Sequence, residues 1–324
     1  NYAGMENRGW ELDFDFIPYR TKDWNIKVSA NFARNENKLK DDLETSGSWT
    51  SNTISGYYPT LLVKGQPLGS FYGYIYEGVY LNDEQTIARD ANGNKIMTYK
   101  DGQLQYVHMR FNYTNDDSYT FKAGDAKYKD VNHDGNINEQ DVVYLGNGMP
   151  LFTGGFGINV KYKQWTLNTF FNFRYGNDVV NIARASMESM HSFNNQSTSV
   201  LRRWRHEYTN EQIANGEVPS GLLPRAYFGS NATYNSLASS RYVEDGSFLR
   251  FKTATLSYSF PKNLLKGTFL SDAKIYVQMQ NIYCWTKYTG MDPEVSISKP
   301  QNPGYDTSNT PRPHEYTLGI NVKF

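Results

Sequence analysis

The sequence predicts an all-β chain: about seven antiparallel strands of a transmembrane β-barrel, with tight turns and long polar excursions between them. Three observations predict this. From Tyr316 to Phe324 the apolar residues (Tyr316, Leu318, Ile320, Val322, Phe324) alternate with Thr317, Gly319, Asn321 and Lys323. Successive strand side chains point to opposite faces, so this segment has one greasy and one polar face. Second, further segments repeat the pattern with aromatic ends. Third, the connections alternate strictly between short and long, as they do where one barrel end faces a cramped periplasm and the other the exterior.

Composition agrees. The apolar fraction is 39% and the aromatic fraction 15%, with a mean hydropathy of −0.67. No run approaches the roughly 20 apolar residues that a spanning helix needs. A barrel needs only alternate residues to be apolar. The density of Tyr, Phe and Trp argues against disorder. Lys+Arg and Asp+Glu are equal at 33 each, which gives no reason to expect nucleic acid as a partner. Cys284 is the single cysteine, so no internal disulfide forms, and it reads as a small buried or lipid-level apolar residue. The start, Asn1-Tyr-Ala-Gly-Met-Glu, lacks a signal peptide, as expected of a mature or truncated N-terminus.

The elements follow in order. The first strand, Trp10 to Phe16, sets Trp10, Leu12, Phe14 and Phe16 against Glu11, Asp13 and Asp15. Three carboxylates in one strand would be costly in a dry core and cost little beside water. A turn at residues 18–23 leads to the second strand, where Trp24, Ile26, Val28, Ala30 and Phe32 alternate with Asn25, Lys27, Ser29 and Asn31. After an excursion over about 37–149, the third strand (Gly154 to Tyr162) turns at Lys163-Gln164 into a fourth from Trp165 to Tyr175. In that strand Phe170 is the one apolar misfit on the polar face. The second excursion, about 176–246, contains helix-compatible patches at Val179 to Phe193 and around Val200 to His206. The fifth strand, about Ser247 to Phe260, has a muddled phase near Phe248 to Phe251, which predicts a bulge or a stretch above the membrane. A sixth strand carries Ile275, Val277 and Met279, with Trp285 and Tyr288 at its far end. The third excursion, about 289–313, leads to the last strand. Tyr19, Trp24, Tyr162, Trp165, Tyr258 and Phe260 gather at the short-turn end, as an interfacial girdle would. With seven strands the first and last run the same way and cannot close a barrel, so the chain reads as the C-terminal piece of a larger one.

Within the first excursion, Asp130, Asn132, Asp134, Asn136, Asn138 and Asp141 fall at the spacing of a calcium loop, with Gly135 at the tight turn. The turn lets the first three side chains converge on one ion, position seven (Asn136) offers its backbone carbonyl, and Ile137 can anchor the loop. Asp141 stands where an EF-hand has Glu, and the flanks lack paired-helix periodicity, so the dockerin form is the nearer analogue. The competing reading is a solvated Asx-turn cluster. A bound Ca²⁺ here is expected to stiffen the loop.

Several stretches then resemble one family. Gly124-Asp-Ala-Lys-Tyr-Lys-Asp-Val-Asn-His-Asp-Gly135 with Leu145-Gly146 and Pro150-Leu-Phe-Thr-Gly-Gly155 resembles the SusC/RagA family of TonB-dependent outer-membrane transporters. So do Asn7-Arg-Gly-Trp-Glu11, Val243-Glu-Asp-Gly-Ser-Phe-Leu-Arg-Phe-Lys252, Leu256-Ser-Tyr-Ser-Phe-Pro261, Gln280-Asn281 and Lys287-Tyr-Thr-Gly-Met-Asp-Pro-Glu294. The resemblance implies a barrel of about 22 strands in the bacterial outer membrane, with an N-terminal plug that this chain lacks. It implies import of oligosaccharides or peptides driven by TonB, engaged through the missing N-terminal part, and a SusD-like surface lipoprotein as a lid. Further partners are the rest of the barrel and plug, outer-membrane lipid, and a glycan or peptide ligand.

No catalytic residue is assigned. His108, His133, His191, His206 and His314 lack zinc-ligand spacing, and neither HExxH nor GxSxG occurs. Tyr57, Tyr58, Tyr72, Trp204 and Tyr208 are candidates for stacking on sugars, though packing within their own loops is the simpler role, and the ligand-binding residues stay unknown. The alternatives are a secreted, calcium-stiffened carbohydrate-binding module and a surface glycan hydrolase.

Overall fold

The computed structural model describes residues 4–40, 58, 63–112, 118–228, 234–294, 304–308 and 310–324. Seven long strands form one antiparallel sheet in chain order. They are β1 (Met5–Arg20), β2 (Trp24–Leu39), β3 (Phe152–Tyr162), β4 (Trp165–Tyr175), β5 (Phe248–Ser259), β6 (Asp272–Thr286) and β7 (Glu315–Lys323). The alternation marked the strands correctly but shortened the first pair: β1 and β2 run 16 residues each. Their ends continue the ladder with polar residues such as Asn7 opposite Asn37, where alternation no longer signals a strand.

The short turns close as composition demands. Thr21 donates its N–H to the Trp24 carbonyl at 2.7 Å, and the Thr21 hydroxyl accepts from the Trp24 N–H at 3.1 Å. Lys163 takes a left-handed φ of 51°, so that β3 and β4 join through two residues.

Register puts like with like across the wall. Ile26, Val160, Leu167, Leu256, Val277 and Leu318 form one continuous aliphatic row. Beneath it Trp24 packs on Tyr162 (ring centroids 4.3 Å) and Trp165 on Tyr258 (4.9 Å). Above it Phe156, Phe171 and Phe251 stack at 4.8 and 4.4 Å. An aliphatic band flanked by two aromatic girdles is the profile of a barrel exterior in a bilayer.

This apolar face covers no core. Phe14 is 54% exposed and Ile320 66%. Among the described residues of the seven strands, only Leu39, Phe248 and Ala273 are buried apolar residues. The buried core lies in the excursions. Tyr74, Tyr80, Phe111, Phe121, Tyr128 and Ile137 of the first pack with Tyr234 and Leu237 of the second. A smaller cluster joins Phe71, Val180 and Tyr242 to Tyr305 of the third. A three-stranded sheet also ties the second to the third, with Asp178–Asn181 between Val243–Asp245 and Tyr305–Asp306. The three excursions are thus one folded cap.

Four expectations need refinement. The bulge lies at Lys252, one residue beyond the muddled stretch: Phe170 pairs with Thr253 and Phe171 with Phe251, so the alternation changes phase there. Tyr288 leaves the wall, is buried in the cap and donates its hydroxyl to Asp306 at 2.6 Å. Cys284 is half-buried opposite Arg250 on the polar face, because a second bulge near Asn281 shifts the phase of β6. Of the two helical patches, only Ile182–Glu188 is α-helix, while Thr198–Arg202 is a 3₁₀ turn.

The two faces respond differently to charge. Leu318→Lys is expected to cost about 2–4 kcal/mol near the bilayer midplane, whereas Thr317→Lys on the opposite face is expected to leave the folded fraction unchanged. Heat-modifiable gel mobility of the refolded protein measures both, and equal losses would contradict the assignment of faces.

Candidate pore wall and calcium loop

The polar face is an uneven wall. Asp15 accepts from the Ser29 hydroxyl at 2.7 Å and pairs with Lys27 at 3.0 Å. Asn159 donates its amide to Asn168 on the neighbouring strand. Between these, Gly155 and Gly157 leave the wall without side chains, and the Phe170 ring fills the trough. A Cβ on Gly155 would meet Phe170 Cζ at 2.8 Å. The apolar misfit therefore has a local cause, an aromatic ring lying over bare glycine backbone. Asp13, Asp15, Asn31 and Phe170 frame a depression of about 340 Å³ there.

Where the wall meets the cap, charges are buried. Arg250 on the polar face of β5 is 5% exposed. It pairs with Asp292 and, at 3.3 Å, with Glu294, which also holds Arg312 at 3.2 Å. Both ends of the third excursion are thereby fixed to one point of the wall. Arg241, with its side chain 5% exposed, lies between the rings of Tyr76 and Tyr242 and pairs with Glu188 at 3.1 Å. Sequence reading missed both clusters. The available signal was Arg250 alone on a polar face, followed 42 residues later by Asp292.

The calcium-loop residues fold as a compact turn. Gly135 takes φ +83°, and its N–H and that of Asp134 both donate to the Asp130 carboxylate (2.8 and 3.2 Å). Asp134 in turn accepts from the Asn136 N–H at 2.7 Å, and Asn132 lies beside it, donating to Asp134 at 3.1 Å. Ile137 is fully buried, and Asn136-Ile137 pairs with Arg110-Phe111, which docks the loop on the cap core. The Asn136 amide oxygen accepts from Arg110 Nε, so its side chain is already engaged.

Asn138 and Asp141 have a second job. They form the reciprocal capping box of the turn Glu139–Asp141. The fully buried Asp141 carboxylate accepts N–H groups from Val131 and Asn138 at 2.7 and 2.9 Å. Burial raises its pKa, and the charges of Asp130 and Asp134 raise it further. Three carboxylates that repel one another suit a divalent cation. Yet among the described residues no three acidic, His or Cys side chains converge as metal ligands, so Asn132 and a backbone carbonyl would have to complete the set.

The aromatic candidates mostly serve packing. Tyr58 and Tyr72 are buried in the cap. Burial pushes the Tyr72 hydroxyl up to about 12. Trp204 packs on Gly124, where any Cβ would clash with the ring. Tyr208 is half-buried and stacks near His206 at 4.7 Å. Tyr57 lies outside the described residues.

No family model matches the chain. TonB-dependent receptor P3 of Formosa agariphila is 27% identical over 334 residues and covers 100% of this chain. TonB-dependent receptor SusC of Bacteroides thetaiotaomicron is 25% identical over 344 residues, again across 100% of the chain. The RagAB peptide transporter superposes on 99% of the chain with a TM-score of 0.64 at 21% identity, which speaks to fold. The chain has the fold of a barrel segment and is similar along its whole length to TonB-dependent receptors. Its place is the bacterial outer membrane. It spans 29% and 27% of the two receptors' lengths.

Glu244 ties the second excursion to the third, accepting from the Thr289 N–H at 2.8 Å and pairing with Arg184 at 2.9 Å. Burial pushes the Glu244 pKa up, but hydrogen bonds from Thr289 and Arg184 outweigh it and hold the carboxyl below its usual 4.5. Its contribution is therefore present above about pH 4.5 and is lost as pH falls through the lowered value. Melting of the cap between pH 6 and pH 3 is expected to show this loss, and Glu244→Gln is expected to reduce it. An unchanged pH profile in that variant would exclude Glu244.

Proposed function

We propose that the segment builds part of the wall and outer cap of an importer that carries oligosaccharides or peptides across the outer membrane, powered through TonB. The relatives' names support this reading: TonB-dependent receptors on one side and a peptide transporter on the other. One observation carries it, the inside-out sheet, apolar toward lipid and polar toward a passage. A secreted binding module would leave Phe14, Leu318 and Ile320 in water. The role is passage rather than catalysis, in line with relatives named as receptors and transporters.

The cap is proposed as the seat of a SusD-like lipoprotein. It has a buried core of its own and lies at the end of the sheet opposite the short turns, where a lid would sit. In the full-length receptor, deletion of residues 177–240 is expected to abolish co-purification of the lipoprotein, and its retention would sink the docking assignment. Solute uptake is expected to stop in cells lacking TonB.

We further propose that Ca²⁺ binds at Asp130, Asn132, Asp134 and the Asn136 carbonyl, with Asp141 closing the set and Asn138 acting through water. The ion would offset the repulsion among three carboxylates and stiffen the loop against Ile137. At one hundred times Kd a bound ion stabilises by about 2.7 kcal/mol. EGTA is expected to lower the melting temperature of the cap, and Asp130→Ala to remove that response. Identical melting curves with and without EGTA would exclude the ion.

A further inference from the structure

The cap contains a pocket of about 330 Å³, at the lower end of the range of small-ligand sites, lined entirely by the first excursion. Its floor is formed by Ile87, Met109 and the Tyr128 ring, all buried. Tyr80 enters from the core side. Its ring packs on Phe121 at 5.9 Å between centroids, and the residue is 1% exposed. Among the described residues its hydroxyl has no hydrogen-bond partner. Burial raises its pKa, and the charges of Glu77 and Asp130 raise it further. Both carboxylates line the pocket, so the hydroxyl end of the ring is the end that opens on it. A protonated hydroxyl left unpaired in so buried a residue is costly, and an acceptor in the pocket would relieve it.

The other uncommitted polar groups of the lining are donors too. Gln85 accepts the Leu81 N–H at 2.9 Å with its amide oxygen, which leaves its NH₂ group for the pocket. Arg89 is held by the Gly93 carbonyl at 2.8 Å through one nitrogen, and neither it nor Lys129 has an ion-pair partner among the described residues. The acceptors are engaged elsewhere. Glu77 pairs with Lys127 at 3.1 Å, and Asp130 turns both oxygens toward the N–H groups of its own loop. Glu84, whose charge Arg89 feels, pairs with Lys95 at 2.9 Å. Three cations (Arg89, Lys127, Lys129) stand against two carboxylates (Glu77, Asp130) in the lining, an excess of one positive charge before His133 is counted.

We propose that this pocket binds a carboxylate-bearing unit of the imported solute. Tyr80 and Gln85 donate to the carboxylate oxygens, Arg89 and Lys129 match the charge, and Ile87 and Met109 lie under the apolar part of the unit. A uronic acid and an acidic amino-acid residue present the same group, and either fits this chemistry. That the ligand is cargo rests on the import reading; the binding itself does not.

The test is isothermal titration calorimetry of the detergent-purified full-length receptor, with Ca²⁺ present throughout, using two matched pairs of probes. One pair is a glucuronic acid dimer and a glucose dimer; the other is N-acetylglutamate amide and N-acetylglutamine amide. The charged member of one pair is expected to bind at least tenfold more tightly than its neutral partner, and the pair that responds identifies the carrier. Tyr80→Phe, which keeps the ring in the core, is expected to weaken that binding about tenfold, as loss of one hydrogen bond to a charged group predicts. Lys129→Gln, at an exposed position outside the core, is expected to reduce the preference for charge without lowering the melting temperature. Equal binding of the charged and neutral members in both pairs would overturn the proposal, as would wild-type affinity in both variants. Uptake that continues without TonB counts against import alone, so the two readings fail separately.

Discussion

Hydrocarbon offers no hydrogen bonds, so a chain that crosses it must pair its backbone groups with each other and turn its apolar side chains outward. Each neighbouring pair among the seven strands meets this by an antiparallel ladder, and the wall has no apolar interior of its own. The aliphatic row from Ile26 to Leu318 and the rings above and below it follow from the same constraint. So does the tolerance of Asp13 and Asp15 on the other face, where water or polar neighbours solvate them.

The cap obeys the opposite rule. Its elements are short, many of only two to five residues, and none would be stable alone. They are held by a tyrosine-rich core and by ion clusters that cross between excursions, such as Asp125 with Arg225 at 2.8 Å. Tyrosine suits this setting because its ring buries well while its hydroxyl finds a partner. Tyr119 shows both, stacking on Tyr234 while donating to Asp125 at 2.7 Å. Buried charges of this kind fix one arrangement of loops, because leaving either partner unpaired is costly.

The wall was legible in the sequence because its signal is local: a period of two, written afresh in each strand. The alternation located β3, β4 and β7 within two residues; it failed at the polar ends of β1 and β2 and where bulges at Lys252 and Asn281 shifted the phase. The cap was not legible. Its core unites Tyr74, Ile137 and Tyr234, and its clamps pair Glu188 with Arg241, contacts that no periodicity records. The calcium spacing was visible at once, whereas the use of Asn138 and Asp141 as a capping box depended on a backbone turn only the fold reveals.

The shared core of the three excursions also sets an order of assembly. The pairs β1–β2, β3–β4 and β5–β6 can each zip through a short connection, but Leu237 reaches Tyr74 only after β3 and β4, which separate them in the chain, are laid side by side. Closing such distant contacts is slow, since the entropy of loop closure is lost before any contact repays it. Completion of the cap therefore reports that the wall beneath it is in register. A strand slipped by one position would leave Tyr234, Phe111 and Tyr305 without their neighbours, and the misassembled molecule would display an open aromatic surface on the outside of the cell.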